Sequence, residues 1–214
     1  MEQGLIITIS RELGSGGRTV GRMLAEKLGV HYSDKDLIKA LRERFNLTTS
    51  ALEELKGEKK NWFSRFLQLV APVPKADQLI EVDSKYIQEF RPDVTSDEIY
   101  KAESEILQAI ADEGPCVIAG RSAFFVLKNH PNKVDIFITA SRDYRIARVS
   151  KKQNLTPEQA ASVIDSVDKA RENYISHYTG LNRYDARNYN LCICMDKITE
   201  EEAVEIILAY LRKR

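Results

Sequence analysis

The feature that most constrains this chain is a continuous apolar run, Leu5 to Ile9, that leads through a glycine-rich segment, Ser10 to Gly17, into a helical pattern from Thr19 to Leu28. The run lacks polar-apolar alternation, which is how a strand buried on both faces of a parallel α/β sheet reads. Val20, Met23, Leu24 and Leu28 recur at helical spacing, and Gly29 supplies a stop. Strand, glycine loop and helix therefore form the opening unit.

Further short apolar runs occur at 116–119, 134–139 and 191–195, with a weaker one at 31–33. Helical segments separate them, as expected of βαβ units closing a parallel sheet. Two intervals are too long for simple crossovers. Residues 37–113 are expected to hold several helices, broken near Pro72, Pro74 and Pro92. Residues 141–189 are expected to hold two, the second starting at Thr156-Pro157. Thr199 followed by three glutamates reads as the capped start of a last helix with an apolar face at Ala203, Ile206, Ile207 and Leu211. Its basic end, Arg212-Lys213-Arg214, suits the helix dipole.

The 32 basic and 32 acidic side chains cancel, which argues against a general binder of nucleic-acid polymers or anionic membranes. Neutrality is not uniform, however: residues 77–113 carry eleven acids against three bases, offsetting a basic surplus spread over 1–76 and 114–187. No apolar run approaches the length of a membrane span or a signal peptide core, so a cytoplasmic protein is expected. Cys116, Cys192 and Cys194 lie in the apolar runs and are expected to be buried thiols in a reducing compartment. Cys192-x-Cys194 has no second pair at zinc spacing. His31, His130 and His177 are scattered, and Trp62, Phe63 and Phe66 read as one helix's apolar face.

The loop Ser10-Arg11-Glu12-Leu13-Gly14-Ser15-Gly16-Gly17-Arg18-Thr19 is the segment that can carry chemistry. Glycines allow backbone N–H groups to turn toward an anion, and the following helix adds a partial positive charge. A tight strand-to-helix turn also needs glycine for steric reasons alone, but the strand before and the helix after favour a phosphate ligand.

The stretch ITISRELGSGGRTVGRMLAEKLG resembles the opening of P-loop nucleoside monophosphate kinases, and most closely the cytidylate kinase-like family. VIAGR at Arg121, VDIFITAS before Arg142 and Arg145, and VDKARENYISHYTGLNRYDARNYNLCI extend the resemblance over most of the chain except about 45–100. The resemblance implies one domain over 1–214 with a three-layer α/β P-loop kinase fold, a five-stranded parallel sheet flanked by helices. Its core would be 1–36, 114–140 and 190–214, with an acceptor-side helical insertion at 37–113 and a helical lid at 141–189. The usual G-x-x-x-x-G-K-[ST] is altered: without gaps, Arg11 replaces the first glycine, Gly17 the lysine and Arg18 the Ser/Thr. Shifted by one, Gly17-Arg18-Thr19 resembles G-K-[ST] with Arg for Lys. The ungapped register is preferred because strand and helix both match in it. An arginine fork is not equivalent to an ammonium in its reach to phosphates.

The resemblance further implies transfer of the γ-phosphoryl group of ATP to a nucleoside monophosphate, CMP or dCMP first. The partners would be ATP and a small phosphorylated acceptor, with Mg²⁺ as cofactor and Thr19 as its protein ligand. Gly14, Ser15, Gly16, Gly17, Arg18 and Thr19 would bind the nucleotide. Asp34 and Lys35 would face the acceptor, unless Asp34 only caps a helix. Arg121 would grip the acceptor's phosphate, unless it pairs with a carboxylate. Asp168 and Arg171 share a helix face with Tyr174 and Tyr178. They read as a surface ion pair on spacing alone, whereas the resemblance makes Arg171 a ligand of the transferring group, oriented by Asp168. Arg18, Arg171 and Asp168 are the expected catalytic set. Arg142, Arg145 and Arg148 are weaker candidates, as solvent-facing arginines of a helix. A nucleotide-binding protein without kinase activity, and a P-loop kinase for another metabolite, are the alternatives.

Overall fold

A computed structural model of the chain describes residues 4–34, 96–120 and 122–214. The opening unit forms as the pattern dictates: β1 (Ile6–Arg11), then α1 (Gly17–Leu28), ended by Gly29 in the left-handed region. β2 (His31–Ser33) follows. The next described elements are α2 (Ser96–Asp112), β3 (Cys116–Ala119), a single turn α3 (Ala123–Val126) and β4 (Lys133–Thr139). α4 (Arg142–Gln153), α5 (Pro157–Thr179), β5 (Leu191–Cys194) and α6 (Glu200–Arg212) complete the chain. Trp62, Phe63, Phe66 and most of the expected insertion at 37–113 lie outside the described residues.

All strand pairs are parallel, in the order β2-β3-β1-β4-β5. β1 is central, and Ile6, Ile7, Thr8 and Ile9 are each at most 1% exposed, as a strand covered on both faces requires. Successive side chains divide between two cores. Ile7 and Ile9 join Val117, Ile136, Ile138 and Ile193 beneath Val20 and Leu24 of α1 and Val204 and Ile207 of α6. Ile6 joins Ile118 beneath Leu107 of α2, Phe124 of α3 and Ile175 of α5. The result is a three-layer α/β sandwich whose strands all end on one edge, where ligands of such sheets bind.

Both helix starts read from the sequence are reciprocal capping boxes. Thr156 Oγ1 accepts from the Gln159 N–H while Gln159 Oε1 accepts from the Thr156 N–H, and Thr199 and Glu202 repeat the pattern. On α6 the buried face is Ala203, Val204 and Ile207, whereas Ile206 is 42% exposed. The sheet lies under the 203–204–207 stripe, which leaves Ile206 outside it.

The cysteine expectation is corrected. Cys116 is buried, but Cys192 and Cys194 are exposed. β5 is an edge strand, and residues two apart share one face, so Cys192 and Cys194 face away from the core while Ile193 is buried in it and Leu191 packs partly buried against it. A buried strand and an edge strand look alike in a short apolar run.

Candidate active site at the carboxyl edge of the sheet

The loop from β1 to α1 supplies the donors that a phosphate needs. Gly16 is the N-cap of α1 with φ 87°, and Gly17 is the first helical residue. Among the described residues, the backbone N–H groups of Gly14, Gly16, Gly17 and Arg18 have no acceptor. Gly14 adopts φ 86°, and a Cβ there would stand 2.9 Å from the Arg145 carbonyl. Only glycine meets both conditions. Ser15 closes the turn instead of projecting from it: its Oγ donates to the Glu12 carbonyl at 3.0 Å and its side chain is buried. The Thr19 N–H is used within the helix, donating to the Gly16 carbonyl at 2.8 Å.

The loop is gripped from the far side by α4 and α5. Leu13 packs on Val149, Ala160 and Ile164, which form a small core between these helices. The Leu13 N–H donates to Asp168 Oδ1 at 3.0 Å, and Arg145 Nη1 donates to Asp168 Oδ2 at 2.6 Å. Glu12 accepts from the Thr139 hydroxyl and stands 3.6 Å from Arg145. Arg145 is thus a buried partner of two carboxylates, a correction to its reading as a solvent-facing helix residue. Asp168 is buried as well, so its pair with Arg171 at 3.3 Å is no surface ion pair.

Arg11 and Arg18 converge on Asp34 at the end of β2. Arg18 takes the carboxylate side-on, with Nε 2.7 Å from Oδ2 and Nη2 3.3 Å from Oδ1, while Arg11 Nη2 reaches Oδ1 at 3.3 Å. Gly120 makes room for this, since a Cβ there would coincide with the Arg11 guanidinium. Burial pushes the Arg11 guanidinium below its ordinary pKa, and Asp34 opposes that shift. Tyr32 donates to the Arg18 carbonyl at 3.1 Å, and burial, with Asp34 adding to it, pushes its hydroxyl up to about 12.

Two more guanidiniums meet at the Arg11 carbonyl. Arg171 Nη1 donates to it at 3.1 Å and Arg183 Nη2 at 2.8 Å. Arg148 pairs with Glu200 beside Gly16. Around the loop, Arg11, Arg18, Arg145, Arg148, Arg171 and Arg183 face Asp34, Glu12, Asp168 and Glu200. The excess is two positive charges, suited to an anion.

Other chains share this architecture. The structure is similar to that of an uncharacterized protein from Eubacterium ventriosum ATCC 27560, at 24% identity and a TM-score of 0.67 over 98% of this chain and 99% of that one. It is also similar to shikimate kinase from Bacteroides thetaiotaomicron (17% identity, TM-score 0.55, 99% of each chain). A gluconokinase from Sinorhizobium meliloti 1021 superposes at 16% identity and a TM-score of 0.54 over 98% and 93% of the two chains. These likenesses establish the P-loop kinase fold. No curated protein matches the chain. The model of the cytidylate kinase-like family matches residues 6–197. The chain belongs to the cytidylate kinase-like family.

For this family member, the sequence located the loop, Asp34, Asp168 and Arg171, and the fold brings all of them to one sheet edge. Lys35 and Arg121 lie outside the described residues. Sequence reasoning missed the roles of Arg11, Glu12, Arg145 and Arg183. Arg11 stood in view as the residue replacing the first loop glycine, and an ionisable side chain where a glycine is usual was a signal. Nothing local marked Arg183.

Proposed function

We propose that the chain is a phosphotransferase that moves the γ-phosphoryl group of ATP to a nucleoside monophosphate, with CMP or dCMP the first candidates. The observation that carries this reading is the set of four unbonded loop N–H groups surrounded by surplus guanidiniums, a cradle fitted to a polyphosphate. Phosphoryl transfer asks little beyond alignment and charge neutralisation. The N–H groups of Gly14, Gly16, Gly17 and Arg18 would hold the phosphate chain, and Ser15 would keep the loop closed around it. Arg18, 41% exposed and fixed along one edge by Asp34, would offer its remaining N–H groups to the reacting phosphates. Arg171, oriented by Asp168, would neutralise the transferring group. Asp34, with Lys35 and Arg121, would face the acceptor.

Mg²⁺ would add charge neutralisation on the phosphate oxygens. The carboxylates around the loop are all taken by arginines, which fits a cation held mainly by nucleotide and water, with the Thr19 hydroxyl as protein ligand. Residues 141–189 would act as the lid over this site and 37–113 as the acceptor side, within a single domain. Among the described residues no helix is long and apolar enough to cross a membrane, and a cytoplasmic location is proposed.

Incubation with Mg-ATP and a panel of monophosphates that includes CMP and dCMP, with ADP measured, tests the reading. ADP should form with at least one pyrimidine monophosphate. Turnover only with a hydroxylated metabolite would move the acceptor class, and no turnover with any acceptor would remove the kinase assignment. A non-catalytic nucleotide binder is the second reading, favoured by Gly17 at the lysine position and by the engagement of Arg18 with Asp34. It predicts calorimetric ATP binding without ADP formation.

A further inference from the structure

Arg183 stands apart from every other arginine around the loop. Arg11 and Arg18 share Asp34, Arg145 and Arg171 share Asp168, and Arg148 has Glu200. Among the described residues Arg183 has no carboxylate at all. It is 2% exposed, and of its guanidinium only Nη2 is engaged, on the Arg11 carbonyl at 2.8 Å; Nε and Nη1 are buried without a hydrogen-bond partner. A buried cation with two idle nitrogens, which carry three N–H groups, is costly and calls for an anion that the described residues do not supply.

Its position is also built rather than incidental. The segment carrying it leaves α5 at Gly180, whose left-handed turn caps the helix. Tyr189 then donates its hydroxyl to the Arg183 carbonyl at 2.7 Å, and Asn182 Oδ1 accepts from the Tyr184 N–H at 2.9 Å. The guanidinium carbon lies 5.3 Å from the centre of the Tyr184 ring, which is itself 40% exposed. The backbone is therefore fixed from both sides, and the side chain ends at the last residue of β1, where the cradle begins. Gly17 leaves the cradle without the cation that a P-loop lysine provides.

We propose that Arg183 is a phosphate-binding residue of this site, taking an oxygen of the nucleotide's phosphate chain through Nε and Nη1 while Nη2 stays on the Arg11 carbonyl. It is then the fixed positive charge that replaces the missing lysine, delivered from the segment after α5 instead of from the loop itself. The inference rests on the polyphosphate reading of the cradle. Nε and Nη1 are buried, so an incoming oxygen reaches them only if a neighbour shifts, and the partly exposed Tyr184 ring beside the guanidinium is the candidate.

The test titrates the full chain, and its Arg183→Met and Arg183→Lys variants, with inorganic tripolyphosphate and with Mg-ATP in a calorimeter, alongside melting temperatures without ligand. Loss of two charge-assisted hydrogen bonds should weaken both ligands about a hundredfold or more in Arg183→Met. Without ligand this variant should melt no lower than the parent, because it removes an uncompensated buried charge. Arg183→Lys should retain part of the affinity through its single ammonium, and it decides the matter if the methionine variant does not fold. Unchanged affinity in the variants, with a lowered ligand-free melting temperature, assigns Arg183 a structural role and overturns this inference while leaving the proposed function standing. A parent chain that binds neither ligand overturns both.

Discussion

Replacing Asp168 with alanine should destabilise the chain by about 3 to 5 kcal/mol, the range for breaking a buried ion pair from one side. The magnitude follows from what this carboxylate holds. Oδ2 accepts from Arg145 at 2.6 Å, Oδ1 accepts from the Leu13 N–H at 3.0 Å and from Arg171 at 3.3 Å, and both members of the Asp168–Arg145 pair are at most 10% exposed. After truncation Arg145 keeps one carboxylate, Glu12 at 3.6 Å, and a long bond to the Leu13 carbonyl at 3.5 Å, and the Leu13 N–H loses its acceptor inside the core between α4 and α5. These losses overlap and are not summed. Denaturant unfolding at pH 7 measures the difference, and for a chain of this size the melting temperature should fall by roughly 6 to 20 °C. Asp168→Asn keeps an acceptor for Leu13 and should lose about half as much. The decisive arm is the double variant with Arg145→Met. With the cation gone, losing the carboxylate should matter far less, giving a coupling of at least about 1 kcal/mol between the two sites. A single-variant effect below about 1 kcal/mol, or additivity within about 0.5 kcal/mol, would refute the reasoning that α5 fastens the loop through this carboxylate.

Gly14→Ala should destabilise by about 1 to 3 kcal/mol, because it forces a side chain into φ 86° and against the Arg145 carbonyl; an unchanged urea midpoint counts against it. An aromatic disulfide reagent should find two reactive thiols in the folded chain, Cys192 and Cys194, and a third, Cys116, only in denaturant. One or three reactive thiols in the native protein would contradict the exposed edge strand. Burial pushes the Cys116 thiol up to about 11 and the Tyr32 hydroxyl up to about 12. Both raised groups favour the folded chain below their unfolded values and lose that advantage as pH rises, between about 9 and 11 for Cys116 and about 10 and 12 for Tyr32. Stability should therefore decline through this alkaline window, and more shallowly between pH 9 and 11 in Cys116→Ala. Parallel slopes for parent and variant would rule out the thiol as a contributor.

What the sequence determined by itself was local. The continuous run at β1, the glycine turn, the helical period of α1, and the caps at Thr156 and Thr199 are set by side chains within a few residues of one another, and the fold kept all of them. The parallel sheet followed, because such strands separated by helices have few other ways to cover both faces. The neutral net charge also hid the cluster of guanidiniums that the acidic stretch offsets. In its described part, α2, that stretch turns Asp97, Glu98, Glu105 and Asp112 to solvent.

Only the tertiary structure decided which charges meet. Leu13 and Asp168 are 155 positions apart, Arg11 and Arg183 are 172 apart, and Arg145 reaches Asp168 across a helix-to-helix seam. No local pattern encodes such pairings, because an arginine facing water and one buried on a carboxylate have the same neighbours in sequence. Strand order likewise decided that β5 lies at the edge, which exposed two cysteines that an apolar run alone would have buried. The glycine loop is written in the chain, but the arginines that surround it are assembled by the fold.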